Sequence, residues 1–184
     1  TREELAGNFQ LDINNRWALM TYHAETKESI EHNIHNVKNC LDILVSQDGL
    51  QTIITYANAD FGGSQINEYI EAVAQKYPKT IKVIPSLGHF RYLSFMKQVD
   101  FVIGNSSSGI VETPFMNIPT INIGNRQKGR YQCGNIVQCL PKLEAIRNAV
   151  ENIEIVKKTF HDDLNYWGNG HTSEKIVEIL KKEL

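Results

Sequence analysis

The sequence predicts an α/β fold, a doubly wound parallel sheet of Rossmann-like type with helices on both faces. Short apolar runs alternate along the chain with amphipathic stretches at helical spacing, the order that builds β-α-β units. Polar or glycine-containing segments follow those runs, where open parallel sheets gather their ligands. The 184 residues suit one domain, large enough to bury a single core without disulfide or metal staples.

Thr1 and Glu4 have capping-box spacing and open a short helix ending near Asn8. Residues 17–22 read as the first strand and deliver His23 at its C-terminal end. Ile30, Ile34, Val37, Leu41 and Leu44 recur at helical spacing, predicting one amphipathic helix over about 27–45. Residues 52–56 form a second strand and 58–63 a polar loop; Ile66, Ile70, Val73 and Tyr77 are the apolar stripe of a helix stopped by Pro78. Residues 81–84 are a third strand, followed by a loop over 87–92 and a short helix with Leu93 and Met96. Residues 101–103 are a fourth strand, leading through a serine-rich turn to a helix that fades before Pro119. Residues 120–123 form a fifth, and Ile136 and Val137 mark a sixth. Pro141 suits the first position of a helix carrying Leu143, Ile146, Val150 and Ile153. A loop over 161–171 leads to a final helix with Ile176, Val177, Ile179 and Leu180.

A net charge of −2 with 22% charged residues offers no basic face for a phosphate backbone, which argues against nucleic acid. Cys40, Cys133 and Cys139 contain no C-x-x-C pair, which fits reduced thiols in a cytoplasmic protein better than disulfides or a zinc site. No apolar run reaches membrane-spanning length, and residues 1–4 lack a signal-peptide pattern. The chain does not begin with Met, as expected of a processed product or a piece of a longer protein.

The run GNSSSGIVE at 104–112 carries the functional signal. A strand that stops at glycine, passes through small hydroxyl residues and re-enters a helix leaves backbone N–H groups free at the helix's positive end, a cradle for a diphosphate. Glu112, one turn in, is placed to accept hydrogen bonds from sugar hydroxyls. Gly104 and Gly109 have P-loop spacing, but Ile110 and Val111 stand where Lys and Ser/Thr would be needed, which argues against ATP hydrolysis. A serine-rich helix cap is the competing reading. His23, Asn58, residues 87–92, Ser106, Ser107 and residues 124–130 all follow predicted strand ends, so they can share one crevice.

These motifs resemble a known family. FVIGNSSSGIVE at 101–112 followed by PTINIGNRQKGR at 119–130 is similar to the C-terminal half of UDP-N-acetylglucosamine 2-epimerases. TYHAET at 21–26, the Asn58–Gly63 segment and the closing 168–177 stretch extend the resemblance over nearly the whole chain. The resemblance implies that 1–184 is a single nucleotide-binding domain, one half of a glycosyltransferase-B-like two-domain enzyme whose N-terminal domain is absent here. The hydrolysing branch is favoured, because residues 22–25 lack the Arg-rich motif of the non-hydrolysing branch. That branch converts UDP-N-acetylglucosamine and water to N-acetylmannosamine and UDP, as in sialic-acid synthesis, and commonly has Pro where Ala24 stands.

The resemblance places Ser106 and Ser107 on the diphosphate, Glu112 on the ribose, Arg126 beside the nucleotide, Tyr92 against uracil and Asn58 in the cleft. His23 is the implied catalytic residue, able to supply charge or a proton to departing UDP. Taken without the resemblance, His23 and Asn58 also suit structural hydrogen bonding, and Tyr92 suits core packing. His32 and His35 lie i,i+3 on an exposed helix side without a third ligand, and His89, His161 and His171 carry no assignment. No metal or redox cofactor is implied. The implied partners are a UDP-sugar, the N-terminal domain and, for the full-length enzyme, further copies of itself, with no membrane. The nucleotide half of a glycosyltransferase-B enzyme and a non-catalytic sugar-nucleotide sensor are the alternative functions.

Overall fold

The computed structural model describes residues 1–159 and 164–183. Strands β1 (Arg16–Thr21), β2 (Leu50–Thr55), β3 (Ile81–Val83), β4 (Phe101–Gly104), β5 (Thr120–Ile123) and β6 (Ile136–Cys139) form one sheet in the order β3-β2-β1-β4-β5-β6. Every pairing is parallel. The chain winds outward from β1 to β3, then returns to lay β4 beside β1 and winds the other way. This reversal between β1 and β4 is the switch point at which doubly wound sheets open a ligand crevice.

Alternation along each strand explains the two layers. Ala18 and Met20 of β1, Ile54 of β2, and Phe101 and Ile103 of β4 face one side and pack with Val37, Leu41 and Leu44 of α2 (Ile30–Val45), Ile66 and Ile70 of α3 (Gly63–Lys76) and Ile146 and Val150 of α7 (Leu143–Glu151). Trp17 and Leu19, Ile53 and Val102 face the other side, with Leu5 and Ala6 of α1 (Arg2–Phe9) and Phe95 and Met96 of α4 (Gly88–Met96). Both faces are therefore apolar, as a parallel sheet between helix layers requires. On the second face, Trp17 stacks on Phe95 at 5.8 Å between ring centroids. The Trp17 indole N–H donates to the Asp12 carbonyl at 2.9 Å, and the Arg2 guanidinium lies 3.9 Å above its ring. The largest buried ring on this face is thus satisfied at its polar end as well as packed.

Element boundaries differ from expectation where local hydrogen bonding decides them. The helix predicted from 27 begins at Ile30, because the Ser29 hydroxyl accepts the His32 N–H and caps it there. Pro141 lies outside α7: Lys142 is the N-cap, and the Pro141 carbonyl instead accepts the Asn39 side-chain amide at 3.0 Å. That helix ends at Glu151, since the Asn152 side chain turns back onto Asn148, and Ile153 starts a separate α8 (Ile153–Thr159). The 87–92 segment is not a loop but the first turns of α4, so Tyr92 is helical. The helix expected after the serine-rich turn is two four-residue segments, α5 (Ser108–Val111) and α6 (Thr113–Met116). They separate at Glu112 because Pro114 has no N–H to continue the ladder. Of the loop expected over 161–171, residues 161–163, and His161 with them, lie outside the described residues; Leu164–Trp167 is a 3₁₀ turn. The final α9 (Thr172–Glu183) buries no residue, leaving Ile176, Val177, Ile179 and Leu180 half-exposed. Among the described residues no helix is long and apolar enough to cross a membrane.

Gly104 sets how closely β4 meets β1. Its φ is +136°, and a Cβ there would lie 2.1 Å from the Thr21 carbonyl oxygen. Gly104→Ala should therefore destabilise the fold by about 3 kcal/mol or more, combining backbone strain with a clash against backbone. Gly7, in α1 with nothing near its would-be Cβ, supplies the contrast: Gly7→Ala should stabilise by about 0.5–1 kcal/mol through helix propensity. Urea unfolding of both variants measures the difference; equal midpoints would remove the proposed constraint at Gly104.

Candidate functional site

The site is assembled one residue past the β1–β4 ladder. The Asn105 backbone N–H donates to the Thr21 carbonyl at 3.2 Å, and its side chain then behaves as one more rung. Asn105 Oδ1 accepts the His23 backbone N–H at 2.7 Å, and Nδ2 donates to the His23 carbonyl at 2.8 Å. The Asn105 carbonyl accepts from Arg126 Nη1 at 3.2 Å and from Gln127 Nε2 at 2.7 Å. Asn105 is fully buried, so its polar groups must find protein partners, and all of them do. His23 Nδ1 accepts the Asn58 backbone N–H at 3.0 Å, and the Asn58 side-chain amide donates to Asp60 Oδ2 at 2.6 Å. His23, Asn58 and Arg126, which follow three different strands, are thereby joined around one asparagine.

Beside this cluster, hydroxyls from several elements floor a groove of about 340 Å³. Thr21 Oγ1 lies 2.6 Å from Thr55 Oγ1 and 3.4 Å from the Tyr92 hydroxyl; that hydroxyl is 2.6 Å from Ser108 Oγ, which donates to Ser106 Oγ at 3.2 Å. Pro85, Ser86, Leu87, Gly88 and His89 complete its wall. A larger groove of about 970 Å³ between α1 and α4, bordered by Glu4, Phe90 and Lys97, contains none of the strand-end residues. Of the two, only the smaller groove is bordered by residues predicted for the site, Tyr92 and Ser106.

The electrostatics are those of half-buried groups near a fixed cation. Burial, followed by the positive charge of Arg126, lowers the His23 pKa to about 4, with Asp60 opposing. The ring is neutral at physiological pH. Burial raises the Glu112 carboxyl, against the influence of its own backbone N–H and of His89. Glu112 Oε2 is buried without a partner among the described residues, a group whose hydrogen-bonding capacity the fold leaves unused. Glu25 is raised by burial and by Glu28, while His32, Arg126 and the Asn125 backbone N–H favour its ionised form. A Cβ on Gly124 would lie 2.8 Å from Glu25 Oε1, so glycine there lets this carboxylate sit against the turn that carries Arg126.

The predicted residues fall in two arms around Asn105. His23, Asn58 and Arg126 are bonded together on one side; Tyr92 and Ser106 border the hydroxyl groove on the other. Ser107 is the N-cap of α5 and makes no side-chain capping hydrogen bond. Glu112 sits between α5 and α6, close enough to Tyr92 and His89 to influence both electrostatically. A four-residue helix contributes little dipole, so the long helix end expected after the serine-rich turn at 104–112 is not present. Lys128 and Arg130 are exposed, as rim charges are. His32 and His35 are exposed, and among the described residues no group of three acidic, His or Cys side chains is placed to hold a metal. Asn105, Gln127 and Glu25 were not singled out by the sequence; the available signal for Asn105 was an amide directly after the strand-ending glycine.

A six-stranded parallel sheet with this switch point and helices on both faces defines a doubly wound α/β domain of Rossmann-like type. The particular family is given by comparison: residues 2–181 match the UDP-N-acetylglucosamine 2-epimerase family, and the chain belongs to it. It is 36% identical over 153 residues to the hydrolysing GDP/UDP-N,N'-diacetylbacillosamine 2-epimerase of Campylobacter jejuni, covering 83% of this chain and 39% of that protein. It is 28% identical over 183 residues to the hydrolysing UDP-N,N'-diacetylbacillosamine 2-epimerase of Legionella pneumophila, covering 98% of this chain and 46% of that one. The fold matches S. aureus MnaA, solved with UDP, at a TM-score of 0.73 and 20% identity, covering 97% of this chain and 47% of that one. The chain thus spans less than half the length of each of these relatives.

The depressed His23 pKa has a consequence for stability. A folded-state pKa near 4 against about 6.5 in the unfolded chain means the unfolded state takes up the proton first as pH falls. His23 therefore contributes stability above about pH 6.5 that is lost progressively toward pH 4, at up to about 1.4 kcal/mol per pH unit. The raised Glu25 and Glu112 carboxyls act oppositely, gaining stability as they protonate. Unfolding free energies of wild type and His23→Asn across pH 4–8 should converge at the acid end, Asn retaining an acceptor for the Asn58 N–H. Parallel curves would contradict the assigned neutral histidine.

Proposed function

We propose that this chain is the UDP-binding half of a hydrolysing 2-epimerase acting on a UDP-linked 2-acetamido sugar, UDP-N-acetylglucosamine or its diacetylated relative. The observation that carries this reading is that Asn105, just past the β1–β4 switch point, brings together a permanent cation, Arg126, and a neutral histidine, His23, while Glu112, between α5 and α6, keeps a buried carboxylate oxygen without a partner among the described residues. Arg126 would neutralise the diphosphate, with Ser106 and Ser107 holding its oxygens. Glu112 would accept the ribose hydroxyls, and the groove beside Tyr92 would take the base. The reaction removes the C2 proton, expels UDP from C1 to leave a glycal, and adds water to give the free 2-epimeric sugar and UDP. His23 and Arg126 act at the leaving diphosphate, where negative charge grows as the C1–O bond breaks.

The acid–base carboxylates for proton removal belong, on this reading, to a second, N-terminal domain. The coverage of under half of each relative and the half-exposed apolar residues of α9 support that arrangement. The isolated chain should then bind UDP weakly and without Mg²⁺, since Ile110 and Val111 replace the Lys and Ser/Thr of a P-loop. Calorimetric titration of UDP, with and without EDTA, should give the same affinity. Glu112→Gln should weaken it by about 1–3 kcal/mol, the range for a hydrogen bond to a charged group. Metal-dependent binding, or an unaffected Glu112→Gln variant, would overturn the assignment.

The activity is tested in a longer polypeptide carrying both domains. Release of free 2-epimeric sugar and UDP, without an acceptor, from UDP-N-acetylglucosamine or UDP-N,N'-diacetylbacillosamine distinguishes hydrolysing epimerisation from glycosyl transfer. His23→Ala should lower kcat far more than it raises KM. The 184-residue chain should turn over neither substrate, and turnover by it would refute the two-domain reading.

A further inference from the structure

We propose that Asn105 is a positioning residue that holds His23 as a single neutral tautomer, with its proton on Nε2, so that the cleft presents a neutral donor beside Arg126 rather than an imidazolium. Its catalytic meaning rests on the function proposed above, but the tautomer itself does not. The geometry comes from two independent contacts. The Asn105 side-chain amide grips both the N–H and the carbonyl of His23, at 2.7 and 2.8 Å, fixing the backbone from which the ring projects. The Asn58 backbone N–H then donates to His23 Nδ1 at 3.0 Å. A backbone N–H is a donor only, so Nδ1 must be the acceptor and the neutral ring must carry its hydrogen on Nε2.

The charged groups facing His23 favour the same state on balance. Arg126, from the segment after β5, opposes protonation and is tied to the same asparagine through the Asn105 carbonyl. Asp60, from the segment after β2, favours protonation, but its carboxylate accepts the Asn58 side-chain amide at 2.6 Å. Protonating the ring would also place a hydrogen on Nδ1 against the Asn58 N–H, replacing a hydrogen bond with a donor–donor contact. The ring is therefore suited to donate from Nε2 to an oxygen gaining charge, and unsuited to act there as a base. Gln127 Nε2 shares the Asn105 carbonyl with Arg126 at 2.7 Å, so the same residue orders the cation and the imidazole.

The test is ¹⁵N-resolved NMR of the histidine rings in the 184-residue chain, with the His23 signals assigned by their loss in His23→Asn. In wild type, His23 should show the Nε2–H tautomer alone and no protonation from pH 8 to pH 5. In Asn105→Ala, and in Asn105→Ser should alanine prevent folding, it should become a mixture of tautomers and titrate near the ordinary value of about 6.5. Circular dichroism on the same samples confirms that the fold persists. A wild-type ring protonated on Nδ1, or titrating near 6.5, would overturn the tautomer. An unchanged tautomer and titration in a folded Asn105 variant would overturn the role of Asn105. UDP titration of wild type, run in parallel, separates these outcomes: absent UDP binding with an intact Nε2–H tautomer refutes the nucleotide assignment and leaves the positioning role standing.

Discussion

The close approach of β4 to β1 at Gly104 is the constraint on which the site depends. With φ at +136° and no Cβ, Gly104 lets its backbone lie against the Thr21 carbonyl. The next residue can then face His23 squarely enough to pair with it through a side chain. Asn suits this role because its amide carries one acceptor and a donor in nearly the arrangement of a peptide group. The sheet is in effect extended by one rung made from a side chain. Because the main chain of residue 105 is not used up by that rung, its carbonyl remains free to receive Arg126 and Gln127.

Burial makes this arrangement selective. An unpartnered amide at full burial would cost about 1–3 kcal/mol for each unsatisfied group, so the asparagine is strongly held to one geometry and passes that order to its neighbours. His23 and Arg126, both only partly buried, gain defined positions from a residue that is itself inaccessible. A cation and a histidine placed together would ordinarily repel when the ring charges; here desolvation and the charge of Arg126 keep the ring neutral, and its Nδ1 accepts the Asn58 N–H. One permanent positive charge thus lies beside one uncharged imidazole.

The two faces of the sheet divide the work. The face under α2, α3 and α7 is mainly aliphatic, while on the opposite face Phe95 makes ring contacts with both Trp17 and Phe9. α4 belongs to the second face, with Phe95 and Met96 in the core, yet its early turns place Tyr92 over the hydroxyl groove. One short helix therefore couples core packing to the groove's wall, and Tyr92 satisfies both readings the sequence left open: its ring packs against the apolar cluster and its hydroxyl joins the strand-end network.

The sequence by itself determined the alternation of strands and helices, the parallel doubly wound class, and the convergence of His23, Asn58, Ser106 and Arg126 at strand ends. Periodicity and strand-end position are local properties, and a topology with few solutions converts them into shared location. It did not determine the ends of elements such as the helices around Pro114 and Pro141, where competing hydrogen bonds decided the boundary. Nor did it identify Asn105, Gln127 or Glu25, whose significance lies in partners far along the chain: Asn105 meets His23 across 82 residues and Gln127 across 22. An asparagine after a strand reads as a turn residue until the fold brings another backbone to its side chain. Only the tertiary structure decided which ring nitrogen of His23 accepts a hydrogen bond, because that depends on a backbone N–H, that of Asn58, delivered by the segment after the neighbouring strand.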